Sequence, residues 1–276
     1  MTTPKPKTIY LKDYTVPEFV IHRVNLHFSL HDDMTQVLST LTLERNQASE
    51  HTHHDLVLHG EKLTLQRVVL NEDALTAGAY LQTTQTLTLF DVPQTGLFHV
   101  TIENTINPLE NTALEGLYLS SGMLCTQCEA EGFRKITYFL DRPDVMTTFT
   151  TTLVADKTRY PVLLSNGNKV ASGEFDNNQH WVTWHDPFAK PCYLFALVAG
   201  QLACVRDTFV TQSGRVITLE IFVEAHDTDK CDHAMQSLKH AMRWDEEVYG
   251  REYDLDLYMI VAVGHFNMGA MENKGL

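Results

Sequence analysis

The sequence predicts a mainly β chain with antiparallel sheets over residues 1–201, passing over residues 202–276 into the opening of a mixed α/β domain. Three observations carry that prediction. Apolar and polar residues alternate through the first hundred positions, aromatic-rich apolar runs mark the second hundred, and a helical period sets in only after residue 225. At 276 residues the chain is long enough for one large or two ordinary domains, each with its own core.

From about Tyr14 to Asn107 the reading is nearly all β. Val24, Leu26, Phe28 and Leu30 alternate with polar residues, His31-Asp32-Asp33 supply a turn, and Val37, Leu41 and Leu43 resume the alternation. Leu56 to Leu58, Leu63 to Leu70, Leu87 to Leu89 and Phe98 to Ile106 read as further strands, in the pattern of an antiparallel sandwich or curved sheet. In the second stretch, Trp181-Val182-Thr183-Trp184 and Tyr193 to Ala199 read as buried strands. Asn166-Gly167-Asn168 predicts a hairpin between Val162-Leu163-Leu164 and the strand after it. Beyond Gly200, Ile217, Leu219, Ile221 and Val223 form a strand. Cys231, Ala234, Met235, Leu238, Ala241, Met242 and Val248 then fall at helical spacing, with Asp227 or Thr228 as cap and Gly250 as stop. Leu257 to Val263 reads as a buried strand. One amphipathic helix and two strands cannot cover each other, so this segment reads as the start of an α/β domain cut short.

The net charge of −14 argues against nucleic acid and against an anionic membrane surface as partners. The first residues, Met1 to Lys7, have no apolar run behind them and do not read as a signal peptide, and no apolar run is long enough to span a bilayer. Five scattered cysteines, an odd number, point to reduced thiols in a cytoplasm. Cys125-Thr126-Gln127-Cys128 has no second pair at matching spacing and reads as incidental thiols. The cluster His51, His53, His54 and His59 lies between two strands among Thr, Ser and Glu, and reads as a solvated loop, not a metal site.

The last stretch carries the chemistry. Gly264 breaks the strand, and in Met268-Gly269-Ala270-Met271-Glu272-Asn273 two positions bear almost no side chain. A backbone this bare can be approached by an extended peptide as an edge strand accepts an added strand. Glu272 then sets a carboxylate where the amino end of that peptide would lie. At an effective dielectric of about 20, a carboxylate and an ammonium roughly 4 Å apart attract by about 4 kcal/mol before desolvation. That separates free N-termini from internal peptide bonds.

The Gly-Ala-Met-Glu-Asn stretch, with Val261-Ala262-Val263 before it and Lys274-Gly275-Leu276 after it, resembles the zinc aminopeptidases of the aminopeptidase N family. The resemblance implies a saddle-like β domain to about residue 200, then the start of a thermolysin-like catalytic domain. It also implies that Glu272 holds the substrate's α-amine and that Gly269 and Ala270 pair with the peptide. Met268, immediately before that track, is then placed to line the pocket for the first side chain, the alternative being that it fills a core gap behind the loop, and Met271 and Asn273 are expected among the substrate-binding residues. Gln127-Cys128-Glu129-Ala130-Glu131-Gly132-Phe133 resembles the segment by which the family's β domain reaches into the active site, so Gln127 and Glu129 are expected to join Glu272 around the amine. The family's zinc requires His-Glu-x-x-His and a downstream glutamate. No His-Glu pair occurs in this sequence, so zinc ligands and general base are expected beyond Leu276, and the 276 residues alone are expected to bind no metal and to be inactive. The expected substrates are peptides with a free amine. Two other readings stand beside this one: the epoxide-hydrolase branch of the family, against which Ala270 speaks, and a non-catalytic β-sandwich binding module.

Overall fold

The structure, a computed structural model, describes residue 8 and residues 10–50, 54–264, 266 and 268–276. Its strands begin with β1 (Phe19–Ser29), β2 (Thr35–Arg45), β3 (Leu56–His59), β4 (Thr64–Leu70), β5 (Asp73–Ala74), β6 (Tyr80–Gln82), β7 (Thr86–Leu89) and β8 (Phe98–Ile106). They continue through β9 (Gly116–Ser120), β10 (Met123–Gln127), β11 (Thr147–Asp156), β12 (Val162–Ser165), β13 (Asn168–Glu174), β14 (Gln179–Lys190) and β15 (Leu197–Gly200). Then come β16 (Ala203–Val210), β17 (Val216–Val223), the helix α1 (Cys231–Tyr249) and β18 (Leu257–Val261).

The mainly β expectation holds. An eight-stranded sheet runs β13-β14-β11-β1-β2-β8-β4-β5, a four-stranded sheet β12-β15-β10-β9 and a small sheet β3-β7-β6. Pairing in them is antiparallel except where β1 lies parallel to β11, joining residues more than a hundred positions apart. The alternation seen in sequence becomes burial. Val24, Leu26 and Phe28 of β1 and Val37, Leu41 and Leu43 of β2 are enclosed, and their polar neighbours mostly face out. The large and the four-stranded sheets share one core, in which Phe28 stacks on Phe195 and Phe133 meets Phe139, Phe149 and Phe195 edge to face at centroid distances of 5.0, 6.0 and 5.3 Å.

A fourth sheet, β16-β17-β18, has α1 on one face. Ile217, Leu219, Ile221 and Val223 meet Cys231, Met235, Leu238 and Met242 there, while Phe222 and Met259 on the opposite face join the main core. The stripe differs from the sequence reading at its end. Ala241 and Val248 are exposed, and Glu246 takes the enclosed position one turn beyond Met242, accepting from Arg243 Nη1 at 2.7 Å and from the Gln212 amide at 3.2 Å. Gly250 ends the helix as expected, in the left-handed region at φ 61°, which costs glycine nothing. The start is later than expected: residues Ala225–Lys230 form a tight 3-10 turn, so neither Asp227 nor Thr228 caps α1.

Two further expectations are corrected. The Asn166-Gly167-Asn168 turn does not join a hairpin, because β12 pairs with β15 and β13 with β14, in different sheets. β18 is shorter than Leu257 to Val263 and is not a buried strand: Met259 alone is enclosed. It is an edge strand, parallel to β17: Leu257 and Val261 lie half-buried against the main core, Tyr258 and Ile260 against the α1 side, and Tyr258 to Val261 also line an open cleft. In the histidine cluster, His51 and His53 lie outside the described residues. His59 is a packing residue whose Nδ1 accepts the Asp141 amide at 3.3 Å, and its burial lowers its pKa.

Candidate functional site

Two segments far apart in sequence face each other across a cleft of about 610 Å3. One wall is β10 and the neighbouring β15 side, with Cys125, Thr126, Ala196 and Val198; the other is β18 and the chain from Ala262 to Asn273.

On the first wall, β10 ends at Gln127, which is 1% exposed. Its Nε2 lies 3.5 Å from the Glu129 carbonyl oxygen and 3.7 Å from Met271 Sδ, the latter across 144 positions of sequence. Its Oε1 is buried with no hydrogen-bond partner among the described residues. A tight turn follows, closed by the Gly132 amide donating to the Cys128 carbonyl at 2.8 Å. Only glycine fits at position 132: a Cβ there would lie 2.3 Å from the Gln127 carbonyl oxygen and 2.9 Å from Cys128 Cα. The two acids of the turn differ. Glu131 is paired with Arg134 at 3.2 Å, whereas the exposed Glu129 carboxylate has no partner among the described residues.

On the second wall the backbone leaves β18 and runs without regular pairing through the bare stretch. Met268 is 44% exposed, Gly269, Ala270 and Glu272 are exposed, and Met271 and Asn273 are half-buried. A Cβ built on Gly269 would meet nothing within 4 Å, so no packing requires glycine there. Glu272 is the one charged side chain among the described residues of the cleft, and it too has no partner among them. The stretch is anchored behind: the Met259 amide donates to the Gly275 carbonyl at 3.0 Å, and Lys274 Nζ reaches Asp254 Oδ2 at 2.8 Å while lying over the Phe188 ring.

Of the residues singled out in sequence, Met268, Gly269, Ala270, Met271, Glu272 and Asn273 all line the cleft. Gln127 reaches it through Met271; Glu129 stands outside its lining. Sequence reasoning missed Thr126, whose Oγ1 accepts the Leu197 amide at 2.8 Å and ties β10 to β15, and the aromatic wall of Tyr258 and Phe266. The Cys125 and Cys128 thiols are buried and protonated. Burial pushes Cys125 up to about 11 and Cys128 well above the usual thiol range, and all five cysteines are unpaired.

Among the described residues no group of three or more His, Cys, Asp or Glu is arranged to hold a metal ion. Among its described residues the cleft offers Glu272 and the protonated Cys125, a donor set that does not fit zinc, which takes three or four protein ligands. Among the described residues no helix is long and apolar enough to cross a membrane.

Comparison with known proteins supplies the context. The family description "Peptidase M1 N-terminal domain" matches residues 20–194, and "Peptidase family M1 domain" matches residues 233–276. Aminopeptidase N of Escherichia coli (strain K12) is 52% identical over 274 residues, 99% of this chain and 31% of the relative. Aminopeptidase N of Caulobacter vibrioides is 49% identical over 276 residues, 100% of this chain and again 31% of the relative. Among solved structures, Legionella pneumophila aminopeptidase A in complex with aspartic acid superposes with a TM-score of 0.92 at 36% identity, covering 96% of this chain and 31% of that one. The chain thus spans 31% of the length of these two curated relatives.

Proposed function

The chain belongs to peptidase family M1, and from that premise we propose that the protein carrying it is a zinc-dependent aminopeptidase in which residues 1–276 supply the anchor for the substrate's N-terminal amine. The observation that carries this reading is Glu272: among the described residues of the cleft it is the one carboxylate and has no partner, and it stands beside the bare backbone of Gly269 and Ala270. An arriving ammonium at roughly 4 Å would gain about 4 kcal/mol at a dielectric near 20, before desolvation. Gln127 supports it. Its enclosed Oε1 has no donor among the described residues, a deficit of about 1–3 kcal/mol that a substrate N–H reaching it past Met271 would relieve.

On this reading Gln127, Glu129 and Glu272 bind and orient the amine, Met268 borders the pocket for the first side chain, and Gly269, Ala270, Met271 and Asn273 form the peptide track. Zinc, held by ligands beyond Leu276, would supply the Lewis acid. The two domains are divided at residues 201 and 202. The helix of the second part has its own apolar partners in β16 and β17, which supports that division. The setting is a cytoplasm, in keeping with five unpaired thiols.

The test is substitution in a protein continuing to the length of its relatives. Glu272→Gln should lower turnover of free-amino peptides by one to two decades, the equivalent of about 1.5–3 kcal/mol for a charge-assisted hydrogen bond, and Glu129→Gln by somewhat less. An N-acetylated peptide has no charge to lose, and its poor cleavage should hardly change. Equal loss for both substrates would show that these acids do not act through the amine.

A further inference from the structure

The Asn166-Gly167-Asn168 corner, which joins no hairpin, touches both walls of the cleft. Asn166 is 3% exposed, and its side chain is fully engaged. Its Oδ1 accepts the Ala196 amide at 2.8 Å, and its Nδ2 donates to the Leu194 carbonyl at 3.0 Å and to the Lys274 carbonyl at 3.0 Å. The first two contacts lie on the run into β15. That strand is bound to β10 through Leu124 opposite Ala199 and Cys125 opposite Val198, and through the Leu197 amide on Thr126 Oγ1. They therefore belong to the Gln127 wall. The third contact lies two residues beyond Glu272.

Asn168 grips the other end of the same wall. The Asp256 amide donates to its Oδ1 at 3.0 Å, and its Nδ2 donates to Asp256 Oδ2 at 3.2 Å, one residue before β18 begins. Gly167 lets the chain pass between the sheets. It sits at φ +90°, and a Cβ there would lie 2.2 Å from the His185 carbonyl oxygen. The wall from Leu257 to Asn273 is thus held at its start by Asn168 and at its end by Asn166.

We propose that this corner is a positioning device: Asn166 and Asn168 set the Glu272 wall at a fixed distance from the Gln127 wall, and so set the width of the cleft. That the cleft receives an amine rests on the function proposed above; that the corner places its wall does not. The physical argument is the asymmetry of buried hydrogen bonds. Truncating Asn166 leaves the Lys274 carbonyl without its donor, and the strand pairing of β10 with β15 does not depend on that bond.

Two amides report on the two walls separately in hydrogen exchange on the 276-residue chain. The Met259 amide is held by the Gly275 carbonyl, next to Lys274, and the buried Gly132 amide, in the turn after Gln127, by the Cys128 carbonyl. Asn166→Ala should speed exchange at Met259 about tenfold and leave Gly132 within about twofold. Asn168→Ala removes a half-buried side chain and keeps the test decisive where Asn166→Ala fails to fold; it should speed Met259 severalfold with Gly132 again unchanged. Equal acceleration at both amides would mean general loosening and would overturn the proposal, as would no acceleration at Met259 in either variant. In a protein continuing to the length of its relatives, each variant should raise KM for a free-amino peptide about tenfold at nearly constant kcat. Faster Met259 exchange with an unchanged KM would overturn the link to binding. Absence of peptidase activity before any substitution would instead refute the proposed function and leave the exchange result standing.

Discussion

Adding one methyl group at Gly132 or at Gly269 should have opposite consequences. At Gly132 the added Cβ would stand 2.3 Å from the Gln127 carbonyl oxygen, 2.9 Å from Cys128 Cα and 2.9 Å from the Gly116 amide nitrogen. All three neighbours are main chain, and none can swing aside. The contact to oxygen is short by about 1 Å, so the turn itself must shift, at a cost near the top of the about 1–3 kcal/mol typical of overpacking. At about 2–4 °C per kcal/mol for a chain of this size, Gly132→Ala should lower the melting temperature by roughly 6–12 °C. At Gly269 the same atom meets nothing within 4 Å. Gly269→Ala should leave the melting temperature within about 2 °C while hindering a peptide that lies against the bare track. Differential scanning fluorimetry of both variants, with peptide turnover in the longer protein, separates the two effects. A stable Gly132→Ala would refute the packing argument, and a Gly269→Ala variant with undiminished turnover would refute the track.

The pair Lys190 Nζ–Asp186 Oδ2, 3.0 Å apart and almost fully enclosed, should give stability a pH dependence. Burial holds Lys190 down at about 8 against the usual 10.5, so the unfolded chain binds the extra proton between those values and this group's contribution rises with pH there, by up to about 3 kcal/mol. Buried thiols and tyrosines with raised pKa oppose it, so the readout is the difference in unfolding free energy between wild type and Lys190→Gln with Asp186→Asn, whose slope from pH 8 to 10 should be the less positive. Met268→Ala, at a residue 44% exposed, should leave the melting temperature nearly unchanged and shift kcat/KM unequally between alanyl and larger first residues; a uniform loss with a large drop in melting temperature would make it a core residue. The 276-residue chain should hydrolyse no aminoacyl-arylamide and hold no stoichiometric zinc by metal analysis, and chelator-sensitive turnover would contradict the assignment of the metal site to residues beyond Leu276.

What was legible in the sequence follows from the range of the interaction involved. β2 and β8 each have one enclosed face, so period-2 alternation identifies them within about two residues, whereas in β1 it shows only from Val24 on, because an irregularity between Ile21 and Arg23 breaks the period in the strand's first half. Gly250 was legible because a left-handed residue after a helical stripe needs nothing from elsewhere in the chain. Asn166-Gly167-Asn168 was misread for the opposite reason. The dipeptide Asn-Gly reports that the chain turns, but which strand β12 joins is decided by packing against β15, thirty residues on, and by an asparagine side chain that bonds a carbonyl 108 positions away. β18 is over-read because an apolar run looks the same whether it is enclosed on all sides or, as here, packs against two cores at a sheet edge that opens on a cleft.

The same distinction divides the candidate site. The bare Gly269-Ala270 pair and the isolated Glu272 were visible because side-chain type alone makes a track and an anchor. The approach of Gln127 to Met271 was not visible, since it spans 144 positions and depends on β10, β15 and the corner at Asn166 acting together. Residue types decide which chemistry a cleft can perform, and contacts remote from it decide whether those groups stand close enough to perform it. A substitution at Asn166 should therefore affect amine binding although its own side chain lies outside the cleft lining.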